Sequence, residues 1–415
     1  MSSSKKLIKI TEYYKSPIPL KEDERFTIEE LEILESRFPS QIQVISRYTG
    51  DQLIRTQEYV GYLILPNHIV SITPKIPQIS FINMVRYALG LVELKSEYFE
   101  LSEESNYYDI LVLFFFQEIE ALLQRGLNTG YKVIDDNLTC IRGKILFKEQ
   151  VTYNYNRNDK IFCSFSELTA DILENSIIKY TIYYLSHCYF QDDLINSKLF
   201  NYYNRLEQIN LNPISLDAFK LIEYTPLNEH YKPILTLCEI LLRDSSLDEE
   251  IIGEKTAISF LIDMNLLFEK FAVNLLKERI KNTHIDIEEQ KLKYADTIDN
   301  ELQLKLDILV SYNKKPILIL DTKYKEYENK PETSHIAQLT LYSNSTGVKN
   351  CGLIYTGGKE KIKNYSYQLY QDIRLHILSL DLQASNRYEF ENKCNNFINS
   401  INTLLEPLIN ETHHF

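Results

Sequence analysis

Glycine is scarce in this chain, with 11 among 415 residues, where average usage of ~7% would supply about 29. A fold resting on several Gly-rich phosphate loops is therefore a poor reading. Cysteine offers no framework either. Cys140, Cys163, Cys188, Cys238, Cys351 and Cys394 lie far apart, with no C-x-x-C and no His at zinc-finger spacing, so they read as reduced core thiols. The longest apolar run, residues 110–116, is far short of the ~18 residues that a membrane span needs. Residues 1–6 are polar and lack an apolar h-region, so no signal peptide is expected. A basic excess is missing too. The chain has 45 Lys+Arg against 58 Asp+Glu, a formal charge of −13. That argues against coating nucleic acid by bulk charge and leaves room for a local basic groove. A cytoplasmic protein without membrane contact is expected. No G-x-x-x-x-G-K-[ST] loop is present; the nearest approach, Gly352 to Gly357-Gly358-Lys359, lacks Lys and Ser/Thr in register.

What the chain does have is a globular balance, 44% apolar and 25% charged, enough for a buried core. Its length predicts two or three domains of ~100–200 residues each. Residues 1–80 alternate like short strands at 7–11, 41–48, 58–65 and 68–73, with one helix announced by Thr27 and Glu30 at capping-box spacing. The polar turn Thr49-Gly50-Asp51-Gln52 is expected to project as a hairpin tip. With Arg55 it is a candidate partner-binding loop. Over residues 81–250 the period becomes helical, at 81–89, 109–125, 167–189, 194–208 and 228–243, with a strand-like insertion near 139–153. Phe114, Phe115 and Phe116 read as core. The polar run 244–255 reads as a linker.

The last third, 251–415, mixes types: a long helix 257–279, strands at 285–294, 302–311 and 316–324, a helix at 334–343, strands at 351–355 and near 373–380, and a closing helix. That order predicts a mixed sheet with helices on its faces. The fold class expected is multidomain α+β: a β-rich module (1–80), a helical middle domain (81–250) and a C-terminal α/β domain (251–415).

Two neighbouring strands carry the chemistry. In QLKLDILV, Leu304, Leu306, Ile308 and Val310 share one face and leave Asp307 on the other beside Lys305. In PILILDTKY, Asp321 and Lys323 share a face one pleat apart. An unpaired carboxylate on a strand buried on both sides is costly, so a charge there needs a partner. A hard divalent cation fits: two carboxylates plus the Thr322 carbonyl make an open oxygen site for Mg2+. A lysine on the same face can orient or deprotonate the attacking water and balance charge on a phosphorane-like transition state. The following helix offers Gln338 and Tyr342 on one face, and the preceding helix sets Glu269 in line with Ile258, Ile262, Val273 and Leu276. Each has a plainer reading. Asp307 and Asp321 could be salt-bridged strand ends, Glu269 a core-edge partner of a Lys, and Gln338 with Tyr342 packing and capping residues.

The pattern LDILV…LILDTKYK followed by QLTLY resembles the PD-(D/E)xK nuclease superfamily. More closely, VGYLILPNHIVSITPKIP, QRGLNTGYK, LTCIRGKILFKEQ, CSFSELTADILENSIIKYTI, NEHYKP and FLIDMNLLFEKFAVNLL, in this order along the chain, resemble McrC, the nuclease subunit of McrBC-type modification-dependent restriction systems. The resemblance covers residues 41–342. It implies a PD-(D/E)xK core whose metal acids fall on Asp307 and Asp321 and whose lysine falls on Lys323. Gln338 and Tyr342 match the Q-x-x-x-Y helix, and Glu269 lies where a further acid is often found. The second acid is Asp where many relatives use Glu. It further implies Mg2+ as cofactor, double-stranded modified DNA as substrate, and an McrB-like AAA+ GTPase hexamer as partner, which this chain would stimulate through its β module. A non-cleaving adaptor that activates such a motor and holds DNA stands as the competing reading. Between residues 303 and 363 ten Lys face six Asp+Glu, so the acidity of the whole chain does not oppose DNA contact on the last third.

Overall fold

The structure, a computed structural model, describes residues 5–12, 17–95, 107–188, 190, 193–243, 259–294, 303–328, 330–357, 365–369 and 372–412. It is a mixed α+β protein with several sheets. The chain forms two compact units, one of Met1–Leu111 with Ile258–Phe415 and one of Val112–Ala257. The contacts thus divide the chain elsewhere than at residues 80 and 250, because the N-terminal β-rich segment and the last third share strands and a core. The expected linker at 244–255 lies outside the described residues.

The first unit begins with β1 (Lys6–Thr11), β2 (Ile18–Pro19), α1 (Ile28–Arg37), β3 (Ile42–Ser46), β4 (Gln52–Thr56), β5 (Tyr59–Ile64), β6 (His68–Thr73) and α2 (Gln78–Leu89). It resumes with β7 (Phe260–Asp263), α3 (Met264–Arg279), β8 (Ile285–Tyr294), β9 (Gln303–Tyr312), β10 (Lys315–Lys323), α4 (Thr333–Thr346), β11 (Asn350–Tyr355), β12 (Tyr365–Gln368), β13 (Arg374–Ser379) and α5 (Arg387–Thr412). The capping box at the start of α1 forms as its spacing predicts: Glu30 N–H donates to Thr27 Oγ1 at 3.3 Å, and Thr27 N–H to Glu30 Oε2 at 3.0 Å.

One four-stranded sheet runs β1-β6-β5-β7 and a small one β2-β4-β3. Ile8, Ile10, Leu63, Val70 and Ile72 bury one face against Leu34 and Phe26, and Leu261 of β7 joins them. Each such apolar side chain contributes about 1.5–3 kcal/mol when fully buried. Here the expectation of one helix over 257–279 is corrected. Phe260–Asp263 is a strand, antiparallel to β5 from Phe260↔Tyr62 to Asp263↔Tyr59. The open edge of β5 recruits it, and Asp263 then starts the helix by accepting N–H bonds from Asn265 at 2.9 Å and Leu266 at 3.2 Å. Ile262 consequently does not share a helical stripe with Glu269, and Ile258 lies outside the described residues.

The six-stranded sheet has the order β8-β9-β10-β11-β13-β12. β8, β9 and β10 are an antiparallel meander, while β10, β11 and β13 run parallel. Asn313 and Lys314, at φ 47° and 67°, make the β9–β10 turn. Positive φ at both central positions suits the twist of a two-residue hairpin. Ile317, Leu318, Ile319 and Leu320 are buried, as expected of an inner strand covered on both faces. α4 covers the face that holds Leu309, Ile319, Cys351, Leu353 and Leu375. α3 packs on α2 and α5 through Tyr87, Phe271 and Phe390, with ring centroids 5.8 Å apart at each step.

The second unit holds most of the helix Tyr107–Arg125, the helices Leu173–Leu185, Asp193–Arg205 and Lys232–Arg243, and a three-stranded sheet. It is less helical than its period suggests. The strands are Gly130–Leu138, Lys144–Ile145 and Ile161–Thr169, and the insertion expected to be strand at 139–153 ends in the helix Phe147–Tyr153. The helix expected from residue 167 begins at Leu173, since Cys163 and Phe165 alternate inward on a strand that runs to Thr169. Phe114, Phe115 and Phe116 are core, each 0% exposed. Among the described residues no helix is long and apolar enough to cross a membrane.

Candidate active site at the end of the 315–323 strand

Asp321 ends the buried run of β10 and is itself 0% exposed. Among the described residues no backbone or uncharged side-chain donor bonds to either of its carboxylate oxygens. Lys323, one pleat on, brings its Nζ to 2.7 Å from Asp321 Oδ2, an ion pair. The β9–β10 register pairs Ile308 with Leu320, and one step further sets Asp307 opposite Asp321. Burial first, then the Asp307 charge, push the Asp321 carboxyl up to about 7, against the pull of Lys323. Such a shift marks a carboxylate that a cation would stabilise.

Asp307 is half-buried and held by Thr322. The Thr322 backbone N–H donates to Asp307 Oδ2 at 2.9 Å and its hydroxyl donates at 3.1 Å. A second chain of bonds runs through α4. Lys323 Nζ donates to Gln338 Oε1 at 3.4 Å, Gln338 Nε2 donates to the Tyr342 hydroxyl at 2.8 Å, and that hydroxyl donates to the Lys305 carbonyl at 2.7 Å. The i, i+4 spacing of Gln338 and Tyr342 puts both on the side of α4 that meets the sheet. Glu269, half-buried on α3, raises the carboxyl of Asp321 and the phenol of Tyr342 by its charge, as a lesser influence than burial in both. The structure therefore brings Asp307, Asp321, Thr322, Lys323, Gln338 and Tyr342 into one bonded cluster, with Glu269 within electrostatic reach.

The partner-loop residues do not stay together. Thr49, Gly50 and Asp51 form the β3–β4 tip, where Gly50 has φ 84° and Asp51 Oδ1 accepts from Arg25 Nη2 at 2.8 Å. Arg55 sits back on β4 and lines a cleft of about 410 Å3 with Lys75, Lys325, Tyr327, Glu332 and Tyr355. The exposed aromatic of the tip is Tyr48, a residue that composition alone does not single out. Lys325, also passed over, donates to Glu332 Oε1 at 2.6 Å and lies 3.3 Å from His335 Nε2. Burial and then the Lys325 and Lys323 charges hold His335 down to about 4. It is thus a neutral imidazole near neutral pH. An i, i+2 Lys after Lys323 was the available signal for Lys325.

The donor set suits a hard cation that keeps part of its water. Asp321 offers a buried Oδ1 that no donor reaches among the described residues and an Oδ2 met by the Lys323 ammonium, and Asp307 keeps Oδ1 clear of the Thr322 bonds that occupy Oδ2. Among the described residues no group of three or more His, Cys, Asp or Glu is placed to hold an ion. A fully protein-ligated site is therefore not built here, whereas two carboxylates with a backbone carbonyl and waters match the coordination of Mg2+.

A family profile described as McrBC 5-methylcytosine restriction system component matches residues 54–356, a span that contains every residue of this cluster. The chain is similar to the type IV methyl-directed restriction enzyme EcoKMcrBC of Escherichia coli (strain K12), at 25% identity over 263 residues, 60% of this chain and 74% of that protein. Among solved structures, it resembles a half-complex from a tetradecameric assembly of Thermococcus gammatolerans McrB AAA+ hexamers with bound McrC. The TM-score is 0.57 at 17% identity, covering 95% of this chain and 100% of the matched chain. A cryo-EM structure of the Thermococcus gammatolerans McrBC complex matches with a TM-score of 0.45 at 18% identity, over 66% of this chain and 88% of the other. At such identity the former match demonstrates a shared fold.

Proposed function

Because the chain belongs to the McrBC restriction-system component family, we propose that it is an McrC-type endonuclease subunit. Its six-stranded sheet with α3 and α4 is read as a PD-(D/E)xK core that hydrolyses DNA phosphodiesters with Mg2+. An McrB-like AAA+ GTPase hexamer is its partner, and 5-methylcytosine-containing DNA its substrate. The partner is suggested by the proteins this chain resembles, which are a methyl-directed restriction enzyme and an McrC bound to McrB hexamers.

One observation carries the chemical half of the reading: among the described residues the fully buried Asp321 carboxylate is met only by the Lys323 ammonium, 2.7 Å from Oδ2, and no donor reaches Oδ1. A purely structural carboxylate in such surroundings is costly and is ordinarily satisfied. A bound Mg2+ would supply Lewis-acid stabilisation of the phosphodiester and a more acidic water. Asp321 and Asp307 would hold it, with Thr322 fixing the Asp307 rotamer by two hydrogen bonds. Lys323 keeps a cationic amine at the site and is steadied by Gln338, which Tyr342 in turn orients. A non-cleaving adaptor gives no reason to bury Asp321 in this way.

The test is cutting of methylated plasmid by the complex reconstituted with its motor. Asp321→Ala and Lys323→Ala are expected to abolish cutting while assembly and stimulation of GTP hydrolysis persist. Full cutting by both variants would overturn the proposal.

A further inference from the structure

Tyr324 follows Lys323 directly and turns the other way, against Phe268 of α3 at 5.8 Å between ring centroids. It is 1% exposed. The residues that hold it come from the far end of the chain, at the ends of two strands of the N-terminal sheet. Its hydroxyl donates to Glu12 Oε1 at 2.8 Å. Its carbonyl accepts from Lys75 Nζ at 2.7 Å, and the same ammonium lies 3.9 Å from its ring centroid. Glu12 and Lys75 are themselves tied together, since the Lys75 backbone N–H donates to Glu12 Oε1 at 3.0 Å. Glu12 N–H is anchored on the Thr73 carbonyl at 2.8 Å, at the end of the β1–β6 ladder. One residue past the site's lysine is therefore gripped by its hydroxyl, its carbonyl and its ring face.

We infer that Glu12 and Lys75 are positioning residues for the nuclease site, which they act upon through Tyr324 by fixing the strand end that carries Asp321 and Lys323. The inference rests on the nuclease reading above and deepens it: the N-terminal sheet becomes part of the machinery that aims the site, in addition to any partner it docks. Two features favour aim over simple adhesion. The grip includes the Tyr324 main chain, one peptide from Lys323, and reactive groups lose about a hundredfold in rate on misplacement by ~1 Å. The grip also buries an acid beside a half-buried ammonium, where apolar side chains would join two layers at lower cost. Burial pushes Glu12 up to about 7 even with Lys75 beside it.

The experiment uses the full chain with its motor and compares Tyr324→Phe, Glu12→Ala and Glu12→Gln with wild type, alongside Asp321→Ala. Amide hydrogen exchange of the 315–325 segment is read with and without Mg2+, and kcat and KM for cutting are separated. Tyr324→Phe and Glu12→Ala should speed exchange at 319–324 about tenfold and lower kcat about tenfold, with KM for DNA and GTPase stimulation unchanged. Glu12→Gln, which keeps a carbonyl acceptor for the Tyr324 hydroxyl, should restore most of the exchange protection that Glu12→Ala loses. Exchange at 319–324 that stays at the wild-type rate in Tyr324→Phe and Glu12→Ala overturns the inference. So does a rise spread evenly over the whole unit, which is what loss of glue alone produces. If wild type and Asp321→Ala are equally inactive, the nuclease reading has failed instead, and the exchange data still decide whether the grip holds the strand.

Discussion

Asp307 Oδ2 is bonded twice by a single residue, Thr322, through its backbone N–H at 2.9 Å and its hydroxyl at 3.1 Å. The two residues sit on neighbouring strands, so the carboxylate of one is aimed by the strand that carries the other acid and the lysine. Thr322→Val keeps the shape and the N–H bond but removes the hydroxyl donor, a loss of about 1 kcal/mol of local stabilisation. Cutting is expected to fall severalfold and the Mg2+ concentration for half-maximal cutting to rise, while Thr322→Ser stays close to wild type. A metal titration followed by plasmid cleavage checks this. A valine variant with the metal dependence of wild type would show that the hydroxyl aims nothing.

The Tyr342 hydroxyl is the hinge of the second chain of bonds, receiving from Gln338 Nε2 at 2.8 Å and donating to the Lys305 carbonyl at 2.7 Å. Tyr342→Phe strands a partly buried carbonyl and frees Gln338, and should cost about 1–2 kcal/mol in chemical denaturation. Gln338→Ala leaves the Tyr342 bond to Lys305 intact and should cost less stability, yet it removes the acceptor of Lys323 and is expected to lower cutting more than Tyr342→Phe does. Equal ratios of activity to stability loss in the two variants would refute the division of labour.

The placing of Asp321 and Lys323 on one face was legible because a strand has a strict period of two, and the neighbouring strands β9 and β10 were legible as two apolar runs, at 302–311 and 316–324. Strand β7 was not. Four residues, Phe260–Asp263, fit either period, and what decides them is the open edge of β5, almost two hundred residues earlier in the chain. The grip of Glu12 on Tyr324 was out of reach for the same reason at greater distance, since the partners are 312 positions apart. Arg55 is near the tip in sequence, but as the fourth residue of β4 it sits back from the turn and lines the cleft. Patterns repeated within one element could be read, whereas contacts that close long loops could not.

Gly352 on β11 lies directly opposite Leu320, the residue before Asp321. A Cβ added there would come within 2.7 Å of Leu320 Cδ2 and 3.2 Å of Leu378 Cδ1. Both leucines are fully packed, so Gly352→Ala is expected to cost about 1–3 kcal/mol by overpacking. The displaced Leu320 should also lower cutting beyond the loss of folded protein. Leu378→Val in the same background, which opens space beside the new methyl, should recover part of both. No recovery in thermal denaturation would place the strain elsewhere.

Glu12 gives a pH prediction whose sign follows from its surroundings. Burial raises its carboxyl from 4.5 to about 7, opposed by the Lys75 ammonium, the Lys75 N–H and the Tyr324 hydroxyl, and assisted by the Glu58 carboxylate. A raised acid binds its proton more tightly when folded, so its stabilising contribution is complete below about 4.5 and is lost as the pH climbs through about 7. Other carboxyls of the chain, such as Asp171 and Glu30, are shifted down and act in the opposite sense. The Glu12 contribution is therefore isolated by comparison with Glu12→Gln, a permanently neutral isostere. Near about pH 5 the two proteins should unfold at nearly the same denaturant concentration; near about pH 8 the glutamine protein should be the more stable by something on the order of 1–3 kcal/mol. The smaller value applies if the lost charge leaves the Lys75 ammonium, itself pushed down by burial, less well compensated. A difference between the two proteins that stays constant from about pH 5 to about pH 8 would mean that Glu12 does not titrate between those limits.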